Sequence, residues 1–250
     1  VEKNRDRTKP HHLVLVPCHA VYRGCTASDI WSEAAWVRTR ENQDRYGFKD
    51  EVALYVEHVN GGLEYAASHP DSILIFSGGQ TQIAAGPISE SQGYWRLAEQ
   101  AEWMGHPETI ARTFTEGYAT DSFENLLFGI YRFFQVVGIC PSKVTVVGLG
   151  LKAGRFEFHA TTVSEHRADL GIPAFEFDYV SVNDVPGYVL NSGAREGEAE
   201  TFQLFKTAPM GDTGPLLSKR RARDPFLIGD AYSEVRKSIS RSGWRSSWED

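Results

Sequence analysis

Ser72-Ile-Leu-Ile-Phe-Ser-Gly-Gly79 is the stretch on which the fold turns. A short apolar run that ends abruptly in Ser77-Gly78-Gly79 reads as a buried strand leaving its sheet through a tight turn. The same form occurs twice more. His12-Leu-Val-Leu-Val16 halts at Pro17, and Lys143-Val-Thr-Val-Val147 lies between Pro141 and Gly148. Runs that are continuously apolar, rather than alternating, suit strands covered on both faces, as in a parallel sheet.

Longer amphipathic stretches separate these runs, which is the rhythm of βαβ units. Helices are predicted over 50–67, 89–104, 121–137 and 151–170, with another near 196–206. The first carries an apolar stripe of Val52, Val56, Val59, Leu63 and Ala66, interrupted by Gly61-Gly62. Further strands are predicted at 109–115 and 174–177, and residues 20–49 read as a long functional loop holding one short helix. The expected fold is α/β, with an open parallel sheet of about five strands and helices on both faces. It occupies 12–215, after a polar tail (1–11) and before an irregular, basic C-terminal extension (216–250).

The 250 residues carry a formal charge of -7 and are 41% hydrophobic, enough for one sizeable core. The extension has a net charge of +3, which leaves -10 on the first 215 residues. That balance disfavours nucleic acid as a partner. Cys18, Cys25 and Cys140 form no disulfide framework or zinc spacing, which suits a reducing, cytoplasmic setting. No run approaches the ~20 apolar residues of a membrane span. Neither a GxGxxG fingerprint nor a GxxxxGK[ST] loop occurs.

In an open parallel sheet, ligands sit beyond the carboxyl ends of the strands, so the residues just past each strand bear most on function. Ser77, Gly78, Gly79 and Thr81 offer backbone amides and hydroxyls to an anion, or they form a plain strand-exit turn. Asp121 and Glu124 resemble a capping box at the start of a helix, with ligand contact by Asp121 or Asn125 as the alternative. Lys152, Arg155 and His159 share one helix face close to its N-terminus, where the macrodipole disfavours cations. An anion between them would resolve that conflict; a solvated basic stripe is the alternative. Glu90, Glu116 and Asp121 are candidates for acid/base work or for a divalent metal, although their spacing fits no metal motif. His19 and His159 are candidate bases.

Several motifs in fixed order resemble the domain-of-unknown-function family 218, the group of the YdcF, SanA and ElyC proteins, and most of all its fungal branch. They are Val16-Pro-Cys-His-Ala20, Ile75-Phe-Ser-Gly-Gly-Gln-Thr81 and Gly86-Pro-Ile-Ser-Glu90 with Tyr94-Trp95. Glu116, Ala119-Thr-Asp-Ser-Phe-Glu-Asn125, Lys152-Ala-Gly-Arg-Phe156 with His159, and Asp224-Pro-Phe226 complete the set. The resemblance implies a Rossmann-like fold with Ser77, Gly78, Gly79, Glu90, Glu116, Asp121, Asn125, Lys152 and Arg155 in one cleft. It also implies an S-adenosylmethionine-like ligand as one option.

The function expected from all this is a hydrolase or transferase for a small anionic metabolite, phosphorylated or nucleotide-like. The Ser77–Gly79 amides, Lys152 and Arg155 would hold the anion, and Glu116, Asp121, His19 or His159 would move protons. One alternative is a binding protein for a nucleotide- or S-adenosylmethionine-like ligand. Another is a scaffold that docks a partner through its basic end, where Trp244 and Trp248 lie near Arg241 and Arg245.

Overall fold

A computed structural model describes residues 9–38, 51–182 and 192–241, with the side chains of 192–194 and 240–241 left aside. Strands β1 (His12–Pro17), β4 (Ser72–Ser77), β5 (Thr113–Glu116), β6 (Lys143–Gly148) and β7 (Glu176–Ser181) make one parallel sheet in the order β5-β4-β1-β6-β7. Two-residue strands β2 (Val21–Tyr22) and β3 (Trp36–Val37) pair antiparallel nearby. The chain therefore adds strands outward on one side of β1 and then crosses to the other. This is the doubly wound, Rossmann-like order, whose direction reverses between β1 and β6.

The alternation of side chains along β1 divides the core. Leu13 and Leu15 join a cluster with α3 (Ser122–Val137) and α4 (Ala153–Glu165), while Val14 and Val16 face α1 (Glu51–Ser68) and α2 (Glu90–Gln100). Both faces are covered, which is why the central strands β1, β4 and β6 read as near-continuous apolar runs. The glycines inside α1 follow from the same packing. A Cβ on Gly62 would stand 2.5 Å from Val16 Cγ2, so the helix can approach the sheet only without one.

Four boundaries differ from expectation. Helix α2 ends at Gln100 because Glu102, Trp103 and Met104 turn left-handed (φ 50°, 57° and 52°), bringing Trp103 edge-on to Trp95. Residues 107–112 form a 3₁₀ turn instead of strand. The Thr109 and Thr113 hydroxyls bond the carbonyls of His106 and Thr109, tying the segment into turns. The predicted 151–170 helix is two pieces, α4 and the short α5 (Arg167–Leu170). The last strand runs later than expected, since Glu176 through Ser181 pair with Lys143 through Gly148. Within the predicted 20–49 loop the structure places β2, β3 and two 3₁₀ turns; 39–50 lies outside the described residues.

The C-terminal extension is corrected more deeply. After α6 (Ser192–Thr207), the chain forms α7 (Gly214–Ala222) and α8 (Ser233–Arg241). Leu216, Tyr232, Val235 and Ile239 pack into the cluster that holds Leu13 and Leu15. Through residue 241 the extension thus contributes side chains to the folded core. Among the described residues, no helix is long and apolar enough to cross a membrane.

Candidate functional site

At the point where strand order reverses, the loops leaving β1 and β6 meet. Cys18 N donates to Ser77 O (2.7 Å), pinning the first loop against β4 and presenting His19 over the gap. The second loop closes when Lys152 N donates to Leu149 O (2.9 Å), and a 3₁₀ turn delivers Lys152 to the start of α4. Lys152 Nζ then lies 3.2 Å from His19 Nδ1. Among the described residues, His19 is the only hydrogen-bond partner of this amine.

The electrostatics of this pair are unusual. Burial and the Arg155 guanidinium lower the Lys152 pKa to about 7, against the pull of Glu198 and with help from Arg223 and Lys219. His19 is held well below the ordinary imidazole range by burial, then by Lys152, His58, Arg155 and Arg223. Its ring meets His58 at 4.9 Å and Tyr55 at 6.1 Å between centroids. Arg223, just past α7, donates from Nη2 to Glu90 Oε1 (3.2 Å), while its buried Nε has no hydrogen-bond partner among the described residues. An unsatisfied buried donor in a basic corner is a place where a ligand oxygen would be stabilised.

Other nominated residues belong to separate networks. Ser77 Oγ donates to Glu116 Oε2 (2.6 Å), and Asn125 Nδ2 donates to both Ser77 O and Ser77 Oγ (3.0 Å each). The other Glu116 oxygen accepts from Tyr118 N (2.7 Å) and the Tyr232 hydroxyl (3.3 Å). Burial raises this carboxyl to about 7, yet at 1% exposure it is walled in by its partners. Thr81 Oγ1 donates to Glu90 Oε1 beside Arg223.

Four assignments need correction. The Gly78 and Gly79 amides are not open to an anion; they donate to Glu116 O (3.0 Å) and Ala119 O (2.7 Å). Both positions lack room for a side chain, since a Cβ would fall 2.7 Å from Glu90 Oε2 at Gly78 and from Ala119 O at Gly79. Asp121 is the helix cap: Oδ1 accepts from Glu124 N (2.9 Å) and Oδ2 from Arg220 Nε (2.5 Å). Arg155 is spent on a bidentate pair with Glu198 (2.6 and 2.7 Å) and on Ser122 Oγ (2.7 Å). His159, fully buried, meets Ser122 Oγ (2.8 Å) and is packed by Phe123, Phe156 and Phe205, so it has no path to a substrate.

Sequence reasoning missed Glu198, Arg220, Arg223 and Tyr232. The late basic cluster was visible, but nothing local marks which of its arginines turn inward. Among the described residues no group of three or more His, Cys, Asp or Glu could hold a metal ion.

The uncharacterized protein YOR238W of Saccharomyces cerevisiae is 24% identical over 276 residues, spanning 89% of this chain and 86% of its own length. No family model matches the chain. No solved structure matches it.

Proposed function

We propose that the protein is an enzyme for a small anionic metabolite, phosphorylated or nucleotide-like, bound where β1 and β6 part. The observation that carries this reading is the Lys152–His19 contact at the switch point; Arg223, whose charge acts on both, has a buried Nε with no hydrogen-bond partner among the described residues. Arg155, Arg223 and Lys219 act on Lys152 as cations and Glu198 opposes them, while Glu90 pairs with Arg223. An anion entering this corner would relieve their mutual repulsion. The ordered motifs that resemble family 218 agree with a ligand cleft at this edge. S-adenosylmethionine suits the corner less well, because its sulfonium would add a like charge. Hydrolase or transferase chemistry is favoured, with Lys152 as the substrate-facing cation and His19 as its proton partner.

The test is a calorimetric titration with inorganic pyrophosphate and with AMP, comparing the natural protein with Lys152→Ala and Arg223→Ala. Losing a charge-assisted hydrogen bond costs about 1.5–3 kcal/mol, so each folded variant should bind roughly tenfold or more weakly. Unchanged affinity in both would overturn the anion site. Phosphate release from a panel of phosphomonoesters then separates an enzyme from a protein that only binds.

A further inference from the structure

We propose that Lys152 is a nucleophilic amine that forms an imine with an aldehyde or ketone bearing a phosphate or carboxylate group, His19 relaying the proton. The inference rests on the anion site described above and names the chemistry of its substrate.

Three features of the geometry point this way. First, the amine hydrogen-bonds an imidazole and no carboxylate among the described residues, so nothing there fixes it as a permanent cation. Second, the groups facing it from the neighbouring elements are mostly basic. They are His19 after β1 with His58 on α1 behind it, Arg155 on α4, Lys219 on α7 and Arg223 just past it, against Glu198 on α6 and Glu90 on α2, which pairs with Arg223. A lysine next to other cations is one of the ways a nucleophilic amine is made, and its lowered pKa of about 7 agrees. Third, Arg223, whose charge acts on Lys152, offers the anionic group an Nε that is buried and unpartnered among the described residues.

The step balances without an added reagent. The Nζ lone pair attacks the carbonyl carbon, and the carbonyl π electrons move to oxygen. The proton lost by nitrogen passes through the His19 ring to that oxygen, giving a carbinolamine. The second nitrogen proton then passes through His19 to the hydroxyl, which departs as water while the nitrogen lone pair forms the C=N bond, so the amine and carbonyl become an imine and one water. The anionic group stays against Arg223 throughout, holding the carbonyl within reach of Nζ.

Pyridoxal 5′-phosphate, which carries both an aldehyde and a phosphate, serves as the probe. The full chain is incubated with it, reduced with sodium borohydride and mapped by peptide mass spectrometry. Lys152 should be labelled roughly tenfold or more faster than the exposed Lys206 and Lys237, because far more of its amine is neutral at pH 7.5. The labelling rate should reach half its maximum near pH 7. Pyridoxine 5′-phosphate, which lacks the aldehyde, should slow it. Lys152→Arg should lose the adduct. Lys152 labelling no faster than Lys206 and Lys237 would overturn the imine. If pyrophosphate still bound in that case, the anion site would stand without it; if it did not bind, both readings would fall.

Discussion

Lys152 Nζ and His19 Nδ1 lie 3.2 Å apart although 133 residues separate them in sequence. The contact exists because β1 and β6 are neighbours in the sheet while the chain between them builds its other side. Two basic groups in contact are stable only if one is neutral, and the surroundings hold His19 neutral and bring Lys152 near neutrality at pH 7.

Anion binding should therefore take up a proton. At pH 7.5 much of Lys152 is neutral, and a bound phosphate favours its charged form over the opposition of Arg155, Arg223 and Lys219. Pyrophosphate affinity should fall as pH rises through about 7. The apparent binding enthalpy should differ between Tris and Hepes by the uptake multiplied by the difference in their ionisation enthalpies. Identical enthalpies in both buffers would exclude the coupling.

Arg155 should matter for stability more than for binding. Arg155→Ala strands the Glu198 carboxylate and removes the guanidinium bond to Ser122. Breaking a buried pair by removing one partner costs about 3–5 kcal/mol, which should appear as a lower melting temperature and denaturant midpoint. Pyrophosphate affinity should change less than in Lys152→Ala.

Glu116 should make stability depend on pH between its unfolded and folded ranges. Its folded pKa is raised from 4.5 to about 7, so the folded state binds the extra proton. The associated stability is fully present below about 4.5 and is lost as pH rises through about 7. By the conversion of about 1.4 kcal/mol per unit, the loss is on the order of 3 kcal/mol. Glu116→Gln should flatten the melting temperature between pH 4.5 and 8. An unaltered profile would contradict a protonated Glu116.

Thiol reactivity should separate the three cysteines. Cys25 is exposed, whereas Cys18 and Cys140 are buried with their thiol pKa raised by that burial. Ellman's reagent should titrate one thiol rapidly in the native protein and three after denaturation. Fewer than three in denaturant would mean a disulfide that the structure does not contain.

The central strands were legible because each is buried on two faces, which demands a run such as His12–Val16 or Lys143–Val147. The strand at 109–115 misled because threonine favours strands, yet here the Thr109 and Thr113 hydroxyls bond turn carbonyls. Helices α7 and α8 were not anticipated in a segment whose local pattern is mainly charged. Their few apolar anchors, among them Leu216 and Ile239, gain meaning only against the core they complete.

By itself the sequence determined an α/β protein with a parallel sheet, and which residues leave its strands at their carboxyl edge. Those properties depend on local periodicity and on glycine and proline as punctuation, which act over a few residues. Only the tertiary structure decided which polar residues are engaged and which are available. Arg155 looked free until Glu198 was found beside it, 43 residues on, and Asp121 until Arg220 was, 99 residues on. Lys152 kept a neutral partner instead of an acid. A charge is neutralised by whatever lies within a few ångströms in space, and pairing over such sequence distances leaves no local trace.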